Sequence, residues 1–146
     1  MALKIASRTA QYTLQAEFTW NYNDTMLDTS GVLKDFKTVG TSIVADVIPL
    51  PPNATVVSGS VTTDVAVTGS TAYNVSVGDS GSTTRYLSAT DRKAAGITAL
   101  VPTGYVGTGQ NIRLTVAPTV ADATLGTLTL RVAYVVRGRA QESMIA

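Results

Sequence analysis

Gln11-Tyr12-Thr13-Leu14-Gln15-Ala16-Glu17-Phe18-Thr19-Trp20-Asn21-Tyr22 is the stretch that decides the fold class of this chain. Its even positions, Tyr12, Leu14, Ala16, Phe18, Trp20 and Tyr22, are apolar, and its odd positions are polar or charged. Side chains alternate across a strand, so the run predicts a strand with one face packed and one face wet. On a helix the same residues would spread around every side. Near the other end, Leu125 to Val136 alternates in the same way, with Leu128, Leu130, Val132, Tyr134 and Val136 facing inward.

Between these two rows the same period recurs in shorter pieces. Ser42 to Ile48 reads as a strand stopped by Pro49-Leu50-Pro51-Pro52-Asn53, because proline has no donor for a central ladder. Ala54 to Val67 reads as a long strand with Val57, Val61, Val65 and Val67 in one phase, and Gly59 on that row marks a bulge or a bend. Tyr73, Val75 and Val77 form the next row, followed by a turn at Gly78-Asp79-Ser80-Gly81-Ser82 and a piece of strand from Thr84 to Leu87. Ala89 to Gly96 is the one short helix expected, capped by Thr90 or Asp91 and ended by Gly96. Val101 to Gly109 reads as a loop, Gln110 to Val116 as a strand, and Ala117 to Ala123 as a turn region. Asn21 to Thr41 is an excursion rich in turn formers, in which Val32 to Phe36 is either a short strand or one helical turn.

The chain is therefore expected to be all-β, a jelly roll or β-sandwich of about eight antiparallel strands with at most one short helix. Its 23 threonines and 18 valines suit a pleated surface better than a helix. The expected organisation is an extended N-terminal arm over residues 1–10, a β domain over 11–137 and a polar C-terminal tail over 138–146.

Composition excludes most chemistry. No histidine or cysteine occurs, so Ser-His and Cys-His nucleophiles and thiolate or imidazole zinc sites are ruled out. Paired carboxylates have little to work with, since Glu17 sits on a wet row and Glu142 in the tail. Asp79 in its glycine-rich turn is one carboxylate where a calcium loop supplies several, so the turn reading is preferred. Gly104-Tyr105-Val106-Gly107-Thr108-Gly109 lacks the strand-loop-helix setting of a phosphate loop. No enzymatic activity and no cofactor are expected. A net charge of +1 without a basic patch argues against nucleic acid, and no run approaches the length of a membrane span. The first eight residues, interrupted by Lys4 and Arg8, do not read as a signal peptide, so a soluble protein made without an export signal is expected.

Three segments together resemble a family of small structural proteins of tailed bacteriophages. They are Ala16-Glu-Phe-Thr-Trp20 with Ala45-Asp-Val-Ile-Pro-Leu-Pro-Pro-Asn-Ala-Thr-Val-Val-Ser-Gly59, then Tyr73 to Leu87 with Ala89 to Gly96, and the close from Leu128 to Glu142. The resemblance is to capsid decoration, or cement, proteins. It implies a jelly-roll head protein of the virion that binds the outer surface of an assembled capsid, is made in the host cytoplasm, and stabilises the shell. The implied partners are the major capsid protein and further copies of the chain, as a homo-dimer or homo-trimer. No catalytic residue is carried over.

For partner binding the residues themselves offer Leu3 and Ile5 as apolar anchors and Lys4 and Arg8 as charge for an acidic shell, with Arg137 and Arg139 at the other end. The same first residues also read as a frayed terminus, and the sequence leaves the two readings level. A tail, baseplate or fibre module is the alternative within phages. A glycan-binding β-sandwich is the alternative outside them, disfavoured because the aromatics fall on rows expected to be buried.

Overall fold

The computed structural model describes residues 12–138. Ten strands run in chain order: β1 (Leu14–Asn21), β2 (Thr25–Leu27), β3 (Leu33–Asp35), β4 (Ile43–Ile48), β5 (Ala54–Thr68), β6 (Ala72–Gly78), β7 (Leu87–Asp91), β8 (Gly96–Ala99), β9 (Ile112–Thr119) and β10 (Leu125–Val136). All the pairings are antiparallel. One sheet has the order β1-β10-β5-β8, the other β4-β9-β6-β7, and β2-β3 is a separate hairpin inserted between them. Leaving the hairpin aside, the eight remaining strands cross from one sheet to the other at every step except β6 to β7, which pair within one sheet, and the resulting order is that of a jelly roll.

The alternation in β1 and β10 produces the expected layers. Trp20 from β1 and Leu128, Leu130 and Val132 from β10 face Tyr73, Val75 and Val77 of β6 and Ile112, Leu114 and Val116 of β9, all buried. Burying each such side chain contributes about 1.5–3 kcal/mol. At the centre, Trp20 Nε1–H donates to the Tyr73 hydroxyl at 3.2 Å, and that hydroxyl donates to the Phe36 carbonyl at 3.0 Å. Both polar atoms of the largest buried side chains are thereby satisfied. Burial holds the Tyr73 hydroxyl well above the ordinary tyrosine range.

Five expectations are corrected. Ala89 to Gly96 is not a helix: its first residues finish β7, and β8 begins at Gly96. Asp91 acts here as a strand-end acceptor, taking the amides of Tyr73 at 2.9 Å and Lys93 at 3.0 Å instead of opening a helix. In β5, Val57 and Val65 point to solvent while Val56 and Thr63 are buried. The pairing with β10 slips opposite Ala133/Tyr134, Thr127/Leu128 and Leu125/Thr127, so the residues of β5 that face inward change phase along the strand. Tyr12, read as the first core residue, is 88% exposed because it precedes the paired part of β1. The strand read as ending at Val116 continues to Thr119 and buries Pro118. Thr84 to Tyr86, read as strand, belongs to the turn before β7.

Gly59 has a sharper role than marking a bend. A Cβ there would lie 2.5 Å from the Arg131 carbonyl oxygen and 2.6 Å from Leu100 Cδ1. The Val32 to Phe36 alternative resolves as a strand, β3, with Phe36 buried beyond its end. Among the described residues there is no helix, hence none long and apolar enough to cross a membrane.

Candidate interaction surface

The jelly-roll order sorts the connections onto two ends. The β2-β3 hairpin, the β5-β6 turn, the β7-β8 link and the β9-β10 turn lie at one end, which we call the hairpin end. The β4-β5, β6-β7 and β8-β9 connections lie at the other, where β1 begins and β10 finishes. Because Leu14 pairs with Tyr134, the chain enters and leaves the domain on neighbouring strands of this terminal end.

Arg137 is exposed there, and its amide donates to the Asn53 carbonyl at 2.9 Å. Asn53 adopts a left-handed conformation, with φ of 65°, after the proline run. Its own amide donates to the Gly107 carbonyl at 2.8 Å, and the Gly107 amide returns a bond to Ala54 at 2.8 Å. One turn thus ties the end of β10 to the β8-β9 loop. Leu3, Lys4, Ile5, Arg8 and Arg139, the other proposed contact residues, lie outside the described residues.

A second tie on this end is electrostatic. Asp79, 2% exposed, accepts the amides of Gly81 at 2.8 Å and Ser82 at 2.9 Å, as the turn reading expects. It also pairs with Arg85 Nε at 2.6 Å, and the guanidinium lies 3.6 Å over the Tyr105 ring. Gln110 Nε2 then donates to the Tyr105 hydroxyl at 2.9 Å. This alignment has no signal in the sequence, because Arg85 and Tyr105 come from different loops.

The outer face of each sheet carries a cross-strand ion pair. Arg131 reaches Glu17 at 3.0 Å and Arg113 reaches Asp46 at 2.8 Å, so each arginine is paired across strands. The Glu17 and Arg131 side chains remain about half exposed, at 56% and 50%, so that pair contributes little stability. A shallow depression beside it is lined by Gln15, Glu17, Ser58, Arg131 and Ala133. Its one carboxylate is neutralised by its arginine, which leaves no positioned acid-base pair. No group of three or more acidic side chains able to hold a metal ion occurs among the described residues.

At the hairpin end, Leu27, Val32 and Leu33 are exposed at the tip of the insertion. Asp28 fixes this tip: its carboxylate accepts the Ser30 amide at 2.8 Å and pairs with Lys34 at 2.5 Å. The aromatics offer no platform. Phe18 stacks on Trp20, which meets Phe36 at a tilt, all in or against the core, and Tyr12 is the large aromatic left exposed.

No family model matches the sequence, and no curated protein matches it. Solved structures do. A chain from the capsid asymmetric unit of cyanophage Pam1 superposes with a TM-score of 0.64 at 22% identity, covering 92% of this chain and 94% of that one. A chain from the acid-stable capsid of Helicobacter pylori bacteriophage KHP30 gives 0.57 at 20% identity, covering 85% and 87%. One from the capsid of Ralstonia phage GP4 gives 0.57 at 15% identity, covering 93% and 91%. This jelly roll is shared with chains of three phage capsids. The likeness spans 85% to 93% of this chain.

Proposed function

We propose that this protein is a non-enzymatic structural component of a phage virion that binds the outer surface of the assembled capsid and stabilises it. The observation that carries the reading is the near full-length match of its jelly roll to chains of phage capsids. Cementing needs no reaction, only binding free energy that favours the assembled shell over separated subunits. Many symmetry-related copies multiply a modest contact into a large total.

The terminal end is the proposed capsid-facing surface. Lys4, Arg8, Arg137 and Arg139 against Glu142 give the two ends of the chain a net +3, whereas residues 12–136 carry seven basic and nine acidic residues, net −2. Both segments join the domain at neighbouring strands, where Leu14 pairs with Tyr134, and an acidic shell surface would complement their charge. Leu3 and Ile5 supply the apolar part of the contact.

The test is to image particles lacking this protein and then add the purified chain back. Density returning on the outside of the head supports the reading; labelling of the tail alone, or density on the inner surface, rejects it. Deleting residues 1–8 should lower capsid occupancy at least about tenfold if the arm is an anchor. Unchanged occupancy would leave the arm without a role while the capsid assignment stands.

A further inference from the structure

The four outermost strands of the two sheets differ in how their free edges are closed. An edge strand presents unpaired N–H and C=O groups, and natural sheets blunt that row with short strands, bulges, prolines, lysines or covering loops. β8 is only four residues long. The pairing of β7 with β6 slips between Val75 and Val77. β4 slips between Asp46 and Ile48, and the hairpin covers its edge, the Thr29 amide donating to the Val44 carbonyl at 2.8 Å. Among the described residues β1 has none of these devices. It is eight residues long, contains no proline, glycine or lysine, and keeps unbroken register from Leu14 opposite Tyr134 to Asn21 opposite Thr127.

The direction of its free groups follows from one bond. The Tyr22 amide donates to the Gly126 carbonyl at 3.0 Å, in line with the β1-β10 register, so the even-numbered residues bond to β10. The main-chain groups of Gln15, Glu17 and Thr19 therefore point away from the sheet. They have no partner strand among the described residues.

The core opens on the same side. The partly buried hydrophobic residues packed against it are Ala16, Phe18, Tyr22, Met26, Val47 and Leu50. All of them belong to β1, β2, β4 or the segments directly after β1 and β4. None lies on the β7/β8 side. An unfinished ladder and an unfinished apolar seam coincide.

We propose that β1 pairs antiparallel with β1 of a second copy of this chain, closing a twofold dimer through one continuous sheet. Self-complementarity selects the occupant. Outward-pointing groups can meet in two central registers, one turning about Glu17 and one about Phe18. The first sets Glu17 against the partner's Glu17, and like charges directly opposite are unfavourable. The second sets Glu17 opposite the partner's Thr19, and Phe18 meets the partner's Phe18 across the axis, extending the apolar seam over both copies. Beyond this stretch the Asn21 amide and carbonyl are already bonded to Asp24, which ends the ladder. The inference does not rest on the capsid reading, because it requires only the purified chain.

The test is sedimentation of the full chain, wild type and two charge variants. The wild type should run as a dimer. Thr19→Lys places a cation opposite the partner's Glu17 on both sides of the axis and should tighten dimerisation about threefold, while Thr19→Glu should weaken it about tenfold. Because the chain contains no cysteine, Phe18→Cys should oxidise to a covalent dimer, and Glu17→Cys should do so much more slowly. If Phe18→Cys fails to fold, the charge variants decide alone. A monomer at the highest soluble concentration, a trimer, equal effects of the two Thr19 variants, or faster cross-linking through Glu17→Cys would each overturn the proposal. An edge filled by residues 1–11 of the same chain would give the monomer result.

Discussion

Two buried aspartates organise the two ends of the sandwich, and they do it differently. Asp28 at the hairpin end and Asp79 at the terminal end are 8% and 2% exposed, each bonds the amide two residues later at 2.8 Å, and each pairs with a basic residue six positions on. The difference is the basic residue. Lys34 closes the hairpin on itself and reaches no farther than the Ser42 carbonyl at 3.4 Å. Arg85 holds both Asp79 oxygens, Nε at 2.6 Å and Nη2 at 3.2 Å, and still presents its flat face to Tyr105. A planar guanidinium can pair and stack at once, which a point-charge ammonium cannot. The same local motif is therefore a self-contained clasp at one end and a tie between two loops at the other.

That contrast is most exposed to failure at Arg85. Arg85→Ala leaves Asp79 buried and unpaired and should cost about 3 kcal/mol in urea unfolding. Arg85→Lys keeps a charge but loses the second bond and the stack, and should recover only about half of that loss. If Arg85→Lys were as stable as the wild type, the terminal end would be a clasp like the other and the distinction would collapse. Tyr105→Leu isolates the stack and should cost about 1 kcal/mol. Its sharper signature is loss of amide-exchange protection at Gly107 and Ala54 rather than in β6, since the loop and not the turn would loosen.

The sequence carried the regular parts of this fold and missed the ties. β1 and β10 were legible because their register has long unbroken stretches, so period two survives across the whole sheet face from Leu14 to Trp20 and from Leu128 to Val136. β5 was misread where the chain inserts extra residues: Val56 and Val57 are equally apolar, and only the partner strand decides which turns inward. Ala89 to Gly96 has good helix-capping residues, but Asp91 spends its side chain on Tyr73, which is 18 residues away in sequence. The jelly-roll class was thus readable, while the surface was only half so. Asp79 was placed in its turn, but the stack of Arg85 on Tyr105 and the β1 edge left free among the described residues exist only once strand order is known.

The weaker clasp makes the smallest and most selective prediction. The Lys34 ammonium, with help from the Ser30 hydroxyl and amide, holds the Asp28 carboxyl well below the usual carboxylate range. The folded state therefore binds this proton less readily than the unfolded state, whose aspartate titrates at about 3.9. The stabilisation is complete above that value and is lost as pH falls from it through the lower folded value. Lys34→Met removes the main cause and should let Asp28 titrate closer to the ordinary range. The variant should be slightly less stable than the wild type at neutral pH, with the gap narrowing below about pH 4 as both forms take up the proton. Denaturant unfolding at a series of pH values measures the gap directly. A gap independent of pH would mean that Lys34 acts by packing against the hairpin, and that only the arginine end of the molecule is held by charge.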